Sequence, residues 1–446
     1  MKAGRPTHWP MTQFPVIDDC LWVGGIPLTQ LARRVGQTPF YAYDRRLLDE
    51  RVTLLRRSLP PAIELHYAIK ANPMPALVQH LAGLVDGLDI ASLGELKVAL
   101  DAGMAPDAIS FAGPGKRPAE LAAAIAAGIT VNLESARELE MVARLGLGQG
   151  RRPRVAVRVN PDFELKTAGM KMGGGPKPFG VDVEQVPALL RRIGELALDF
   201  QGFHIFTGSQ NLRAEFIVEA HDRSFELALR LAADAPGPVR LLNVGGGFGI
   251  PYFPGDTPLD LAPIAANLAR WLTTVQDRLP EAGVILELGR YLVGEAGIYV
   301  AEVVDRKVSR GHTFLITDGG LHHHLAASGN FGQVVRKNYP VVVGNRVVGA
   351  EREIVTVVGP LCTPLDILAD RMELAKAEIG DLIVVFQSGA YGLTASPTAL
   401  WRPRARSTTV SATSVTRIPS ISSMLRGSAV RCTRTPALAR AVAWAG

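Results

Sequence analysis

The chain has 446 residues, of which 47% are hydrophobic and 20% charged, with 3 cysteines and a formal net charge of +6. That length allows two or three domains around a large core, and the composition is that of a soluble globular protein rather than a disordered one. The charge does not indicate a nucleic-acid partner: residues 401–446 hold 8 arginines and no lysine or acid, so everything before them sums to −2 by difference.

No apolar run reaches the roughly 18 residues needed to cross a bilayer, and the first residues, MKAGRPTHWPMTQF, lack the apolar centre of a signal peptide. Cys20, Cys362 and Cys432 are too widely spaced for a disulfide framework or a zinc site. The expectation is a cytoplasmic protein with no membrane, nucleic-acid or metal partner.

In chain order, residues 14–43 are read as strand-like, and residues 1–45 are expected to join a β domain formed later in the sequence. From residue 63 to 290, short apolar strands alternate with amphipathic helical patterns. Strands are predicted at 63–69, 86–91, 109–112, 129–132, 155–159, 201–206, 240–244 and 284–288. Helices are predicted at 93–103, 117–127, 134–146, 182–195, 215–234 and 259–279. Strands this continuously apolar are buried on both faces, and eight such units fit a (β/α)8 TIM-type barrel over residues 46–296. An open doubly wound sheet is the alternative. Beyond residue 296, runs such as IYVAEVVDRKVS, REIVTVVGPLC and DLIVVFQSG predict an all-β domain over 297–399. The tail 400–446, rich in Arg, Ser, Thr and Ala, shows no sustained periodicity; it is read as a frameshifted or disordered segment.

Polar residues unusual for a core fall at the predicted strand ends: Lys70, Asp89 with Ser92, Asn132, Arg158 with Asn160, His204 with Ser209, Gly245–Gly247, and Glu287 with Arg290. In a barrel these ends share one face, so a common pocket accounts for the bias. The glycines of NVGGGFG (243–249) let backbone N–H groups approach an anion, and the missing Walker lysine favours a single phosphate over a triphosphate. An amine, a phosphate cradle and a buried acid are the parts that hold pyridoxal 5'-phosphate. LHHHL (321–325) invites a metal reading, but adjacent histidines diverge and no fourth ligand is near.

HYAIKAN, GLDIASLGEL, FHIFTGSQ, NVGGGFG, LELGRYLVGEAG, GPLCTPLD and SGAYG occur in the order found in the pyridoxal-phosphate decarboxylases of the alanine-racemase-like fold. The chain resembles that family, which includes diaminopimelate, ornithine and arginine decarboxylases, from about residue 15 to 399. The resemblance implies fold type III, a barrel followed by a β domain, and a homodimer with shared active sites. It implies that Lys70 is the Schiff-base lysine and Glu287 the partner of the pyridine nitrogen. Ser209, Gly247 and Arg290 resemble the phosphate ligands, and Tyr391 resembles the tyrosine that closes over the phosphate. With the strand-end residues, the expected cofactor pocket comprises Lys70, Asp89, His204, Phe206, Ser209, Gly245, Gly246, Gly247, Glu287, Arg290 and Tyr391.

Cys362 resembles a cysteine that the second subunit contributes to protonate the carbanion left when carbon dioxide departs. Thr363 and Asp366 are the expected substrate-facing residues. Two positions depart from the pattern. Phe206 stands where many members stack a histidine on the cofactor, and Thr363 where diaminopimelate and ornithine enzymes place an acid. FHIFTGSQN with CTPLD is most similar to a branch associated with exopolysaccharide or exosortase gene sets, or to decarboxylases of carrier-protein-linked aminoacyl groups. The substrate expected is therefore an amino acid or a carrier-linked aminoacyl group. A racemase of the same fold and a non-catalytic regulatory homologue are the alternatives.

Overall fold

The computed structural model describes residues 8–164, 170–171, 173–329, 337–397, 406–411 and 414–417. Eight parallel strands close on themselves: Ile63–Ala68, Gly87–Ile90, Ile109–Phe111, Thr130–Leu133, Arg154–Asn160, Asp199–His204, Leu241–Gly246 and Gly283–Leu288. Closure is explicit, because the eighth strand pairs with the first (Glu287 opposite His66) and the fourth with the fifth (Val131 opposite Val155). The open-sheet alternative is thereby excluded.

Local sequence sets the strand-to-helix turns. Ser92 and Ser135 each follow a barrel strand, and each accepts a hydrogen bond from the backbone N–H three residues on, Glu95 at 3.2 Å and Glu138 at 3.1 Å. Those bonds satisfy an otherwise open helix N-terminus and fix where the chain turns back. Helix Val186–Glu195 shows the helical period, burying Val186, Leu189, Leu190 and Ile193 against the barrel.

The second body is a mostly antiparallel sheet, built from Gly297–Ser309, His312–Thr317, Arg352–Val358 and Ile367–Ala375, with Leu382–Val385 paired to the long first strand and Val341–Val343 paired to Leu382–Val385. Phe40–Asp44 joins it, with Gly297 opposite Tyr43. Of the N-terminal segment only Phe40–Asp44 pairs with this sheet: Val16–Ile17, Cys20–Val23 and Ile26–Pro27 form a separate three-stranded sheet, and Leu28–Val35 is a helix packed by Leu28, Leu31 and Val35. Phe14, Leu21, Phe40, Ile298 and Phe386 form a separate apolar cluster under that helix.

The tail holds two strands where the sequence predicts none. Arg406–Ser411 runs parallel to Phe40–Asp44 and pairs with Ser414–Arg417. The Ser-Thr-Thr-Val stretch has the β-branched content that suits a strand, a local propensity that the search for longer periodicity passes over. Residues 418–446 lie outside the described residues. Among the described residues no helix is long and apolar enough to cross a membrane.

Candidate active site

Lys70 sits on a single 3-10 turn, Ile69–Ala71, after the first strand rather than on the strand itself. The turn is held from several sides. Tyr67 donates its hydroxyl to Asn72 O at 2.8 Å, Asn72 donates its side-chain amide to Gly389 O at 2.9 Å, and Tyr391 N donates to Ala71 O at 2.8 Å. The Lys70 side chain is 44% exposed, and it borders a cleft that Phe206, Glu287 and Arg290 also line. Its Nζ lies 3.2 Å from Glu287 Oε1 and 5.5 Å from the centre of the Phe206 ring.

Glu287 is buried on the eighth strand, and its other oxygen, Oε2, lies 3.1 Å from His204 Nε2. Burial alone would push this carboxyl up; the charges of Lys70, His204 and Arg158 outweigh it and hold the group well below the usual carboxylate range. Reciprocally, the Glu287 carboxylate raises the Lys70 amine against the opposing cost of its desolvation. The resting site is an ammonium–carboxylate pair.

At the other end of the cleft stand Ser209, Gly247, Arg290 and Tyr391. Gly247 has φ +72°, and a Cβ there would come within 2.7 Å of Gly208 O, so only glycine fits the bend. Arg290 Nη1 donates to the Tyr252 hydroxyl at 2.8 Å, and its guanidinium lies 4.9 Å from the centre of the Tyr391 ring. Its buried Nε has no hydrogen-bond partner among the described residues. An unsatisfied cationic donor beside a serine and a backbone bend fits an oxyanion such as a phosphate.

The structure therefore gathers Lys70, Phe206, Ser209, Gly247, Glu287, Arg290 and Tyr391 around one cleft, with His204 behind Glu287. Gly245 and Gly246 carry the seventh strand to that cleft without lining it; Gly246 pairs with Glu287, and Gly245 N donates to Asn243 Oδ1 at 2.8 Å. Asp89 does not line the cleft either. It lies inside the barrel, 3.4 Å from His66 Nδ1, and accepts a short hydrogen bond from Ser110, which in turn accepts from Asn132 at 3.0 Å. Burial opposes charging of His66, but Asp89 and Glu64 raise it to about 9, so it is an imidazolium at neutral pH.

Sequence reading gives no role to His66 or to the buried cluster of Lys116, Glu134 and Glu138. Lys116 Nζ reaches Glu138 at 3.0 Å and Asn132 O at 2.8 Å, while Glu134 pairs with Arg158 at 2.9 Å and accepts from Gly180 N at 3.0 Å. The available signal was inward-facing polar residues at alternate positions of otherwise apolar strands. Lys116, Glu134 and Glu138 gave none, since they lie on loops and a helix.

Cys362, Thr363 and Asp366 lie in the β domain, away from the residues that line the cleft of the same chain. Cys362 is exposed. Asp366 is buried, and its two oxygens accept from Leu321 N at 2.6 Å and Leu361 N at 2.8 Å. Thr363 Oγ1 accepts from Leu365 N at 3.3 Å. In the histidine triplet, all of it buried, His324 Nε2 contacts Ser388 Oγ at 2.9 Å, and burial pushes the His324 imidazole down to about 3. Among the described residues no three His, Cys, Asp or Glu side chains come together as a metal site.

A barrel with a lysine at the mouth of its first strand, an acid beside it on the eighth and an oxyanion cradle lining the same cleft defines a class of pyridoxal enzyme. Residues 45–294 match the profile of the pyridoxal-dependent decarboxylase, pyridoxal binding domain, and the chain belongs to that family. It is 38% identical over 376 residues to the L-glutamyl acyl-carrier-protein decarboxylase of Niallia circulans, covering 83% of this chain and 87% of the relative. It is 34% identical to the diaminopimelate decarboxylase of Aquifex aeolicus, covering 87% and 90%. Among solved structures, diaminopimelate decarboxylase from Helicobacter pylori complexed with L-lysine superposes with a TM-score of 0.77 at 26% identity, covering 87% and 95%. The protein is a pyridoxal-phosphate-dependent carboxy-lyase, and the unsatisfied Arg290 donor with the Gly247 bend fits the phosphate of that cofactor.

Proposed function

We propose that this decarboxylase acts on an aminoacyl group carried by an acyl-carrier protein in preference to free diaminopimelate. The observation that carries the proposal is the lack of a free acid in the CTPLD loop. Thr363 is neutral, and both oxygens of Asp366 are occupied by backbone donors. A substrate with a second free ammonium would find no open carboxylate there, whereas a tethered acyl group needs none. Similarity to a glutamyl carrier-protein decarboxylase supports the same substrate class.

Lys70 is the amine that would hold the cofactor, Glu287 would face its ring nitrogen, and Ser209, Gly247, Arg290 and Tyr391 would take its phosphate. The bound cofactor supplies an electron sink for the bonding pair released when carbon dioxide leaves. Glu287 keeps a fixed negative charge in a buried position, so a cationic nitrogen beside it is stabilised. Lys70 has to give up its extra proton to act as a nucleophile, and the 3.2 Å contact sets where that amine waits. Phe206 offers an apolar face and excludes water on one side of the cleft. We further propose a homodimer in which the exposed Cys362 of one subunit donates a proton in the partner's cleft. Placement in an exopolysaccharide- or exosortase-associated branch rests on the motif pair FHIFTGSQN and CTPLD, and gene neighbourhood tests it.

Carbon dioxide release measured on diaminopimelate, ornithine, lysine, arginine, glutamate and glutamyl carrier protein separates the substrate classes. The expected result is turnover of the carrier-linked substrate above all free amino acids. Efficient turnover of free meso-diaminopimelate would overturn the proposal.

A further inference from the structure

The eight strands do not fill the barrel interior with apolar layers. His66, Asp89, Ser110, Asn132, Arg158, His204, Asn243 and Glu287 place at least one buried polar side chain on each strand. Most have a partner: Asp89 for His66, Ser110 for Asp89, Glu134 for Arg158, and Gly245 N for Asn243. His204 differs. It is 2% exposed, and its Nε2 lies 3.1 Å from Glu287 Oε2, a close contact without hydrogen-bond geometry; neither ring nitrogen has a hydrogen-bond partner among the described residues. A buried imidazole without another use is costly unless that one contact repays it.

Glu287 faces two nitrogens at once, Lys70 Nζ through Oε1 and His204 Nε2 through Oε2. The two contacts are not equivalent. Lys70 borders the open cleft and is 44% exposed, so it can leave Glu287 to react; His204 is enclosed between the fifth and seventh strands, paired in register with Arg158 and Asn243, and cannot. We infer that His204 is a positioning residue that holds the Glu287 carboxylate oriented and ionised during the part of the cycle when Lys70 is elsewhere. The inference rests on the pyridoxal-phosphate assignment above and extends it. The charged and titratable groups facing Glu287 are Lys70 from the first strand's turn, Arg158 from the fifth strand and His204 from the sixth.

The test uses the full-length enzyme loaded with cofactor, with retention measured by dialysis and the visible cofactor band followed against pH. His204→Leu removes the polar group that faces Glu287; His204→Gln keeps a polar group there. Thermal unfolding of each variant checks the fold. The expected result is about tenfold weaker cofactor retention in His204→Leu, as for loss of the polar neighbour of a buried carboxylate, and partial recovery in His204→Gln. The pH midpoint of the band is expected to move in both variants, because each changes what faces the Glu287 carboxylate. A folded His204→Gln or His204→Leu with wild-type retention and midpoint would overturn the inference while leaving the cofactor assignment intact. Wild-type enzyme that holds no cofactor would overturn the assignment and, with it, the inference.

Discussion

Glu287 Oε1 stands 3.2 Å from Lys70 Nζ, joining the eighth barrel strand to the turn that follows the first across 217 positions of sequence. Each charge lowers the cost of burying or holding the other. Under the proposed assignment, replacing Lys70 by alanine has two effects: the cofactor loses its proposed attachment point, and a buried carboxylate loses its strongest partner. Lys70→Ala is expected to lose cofactor retention and at least about a thousandfold in carbon dioxide release, as removal of a nucleophile does. Absorbance after dialysis and a carbon dioxide assay check both.

Glu287→Gln keeps the shape and removes the charge. Since the carboxylate acts on a charge that develops during reaction, kcat should fall by about a hundredfold or more, with a smaller change in KM. Steady-state kinetics on the best substrate of the panel tests this.

The His66–Asp89 pair gives a pH signature of stability. The His66 imidazole is raised to about 9 in the folded protein, against an unfolded value of about 6.5. Its contribution is thus fully present below about pH 6.5 and is lost as pH rises through about 9. A His66→Asn variant should be less stable than wild type by on the order of 3 kcal/mol at pH 6 at most, with the gap closing by about pH 9. Denaturant unfolding of both proteins across that range measures it.

Gly247→Ala has no strain-free conformation, because φ is +72° and the added methyl would come within 2.7 Å of Gly208 O. The bend would open and the cradle with it. The expected outcome is about tenfold weaker retention of cofactor with little change in helix content, measured by titration and circular dichroism.

The barrel was legible because its strands are short, apolar and separated by helices of clear period; the predicted strand 284–288 differs from the observed Gly283–Leu288 by one residue. Boundaries blurred where tertiary contacts overrode pattern. The expected strand 201–206 stops at His204, and the following chain turns so that Phe206 reaches the cleft, while the expected 240–244 continues through Gly245 to Gly246 to pair with Glu287. Ordered motifs brought Lys70, Glu287, Ser209 and Arg290 into view. Asp89 shows the limit: a strand-end acid looks the same in sequence whether it faces the cleft or an interior histidine. Of the two donors to Asp366, Leu361 N–H lies 5 positions away, but Leu321 N–H reaches it across 45 positions, a contact that no local pattern encodes.

If two subunits share each site, defects in Lys70 and Cys362 should complement. Mixed subunits of Lys70→Ala and Cys362→Ala should regain roughly a quarter of wild-type activity, the share expected for one intact site in half of the random dimers. Absence of recovery on mixing and refolding would count against a shared site.

The central claim is that Lys70 holds pyridoxal phosphate beside Glu287. Borohydride reduction of the cofactor-loaded enzyme, followed by digestion and mass spectrometry, tests it most directly. The account predicts a pyridoxyl-phosphate adduct on the peptide containing Lys70 and none in Lys70→Ala. An adduct confined to another lysine, or none in a wild-type enzyme shown to release carbon dioxide, would contradict it.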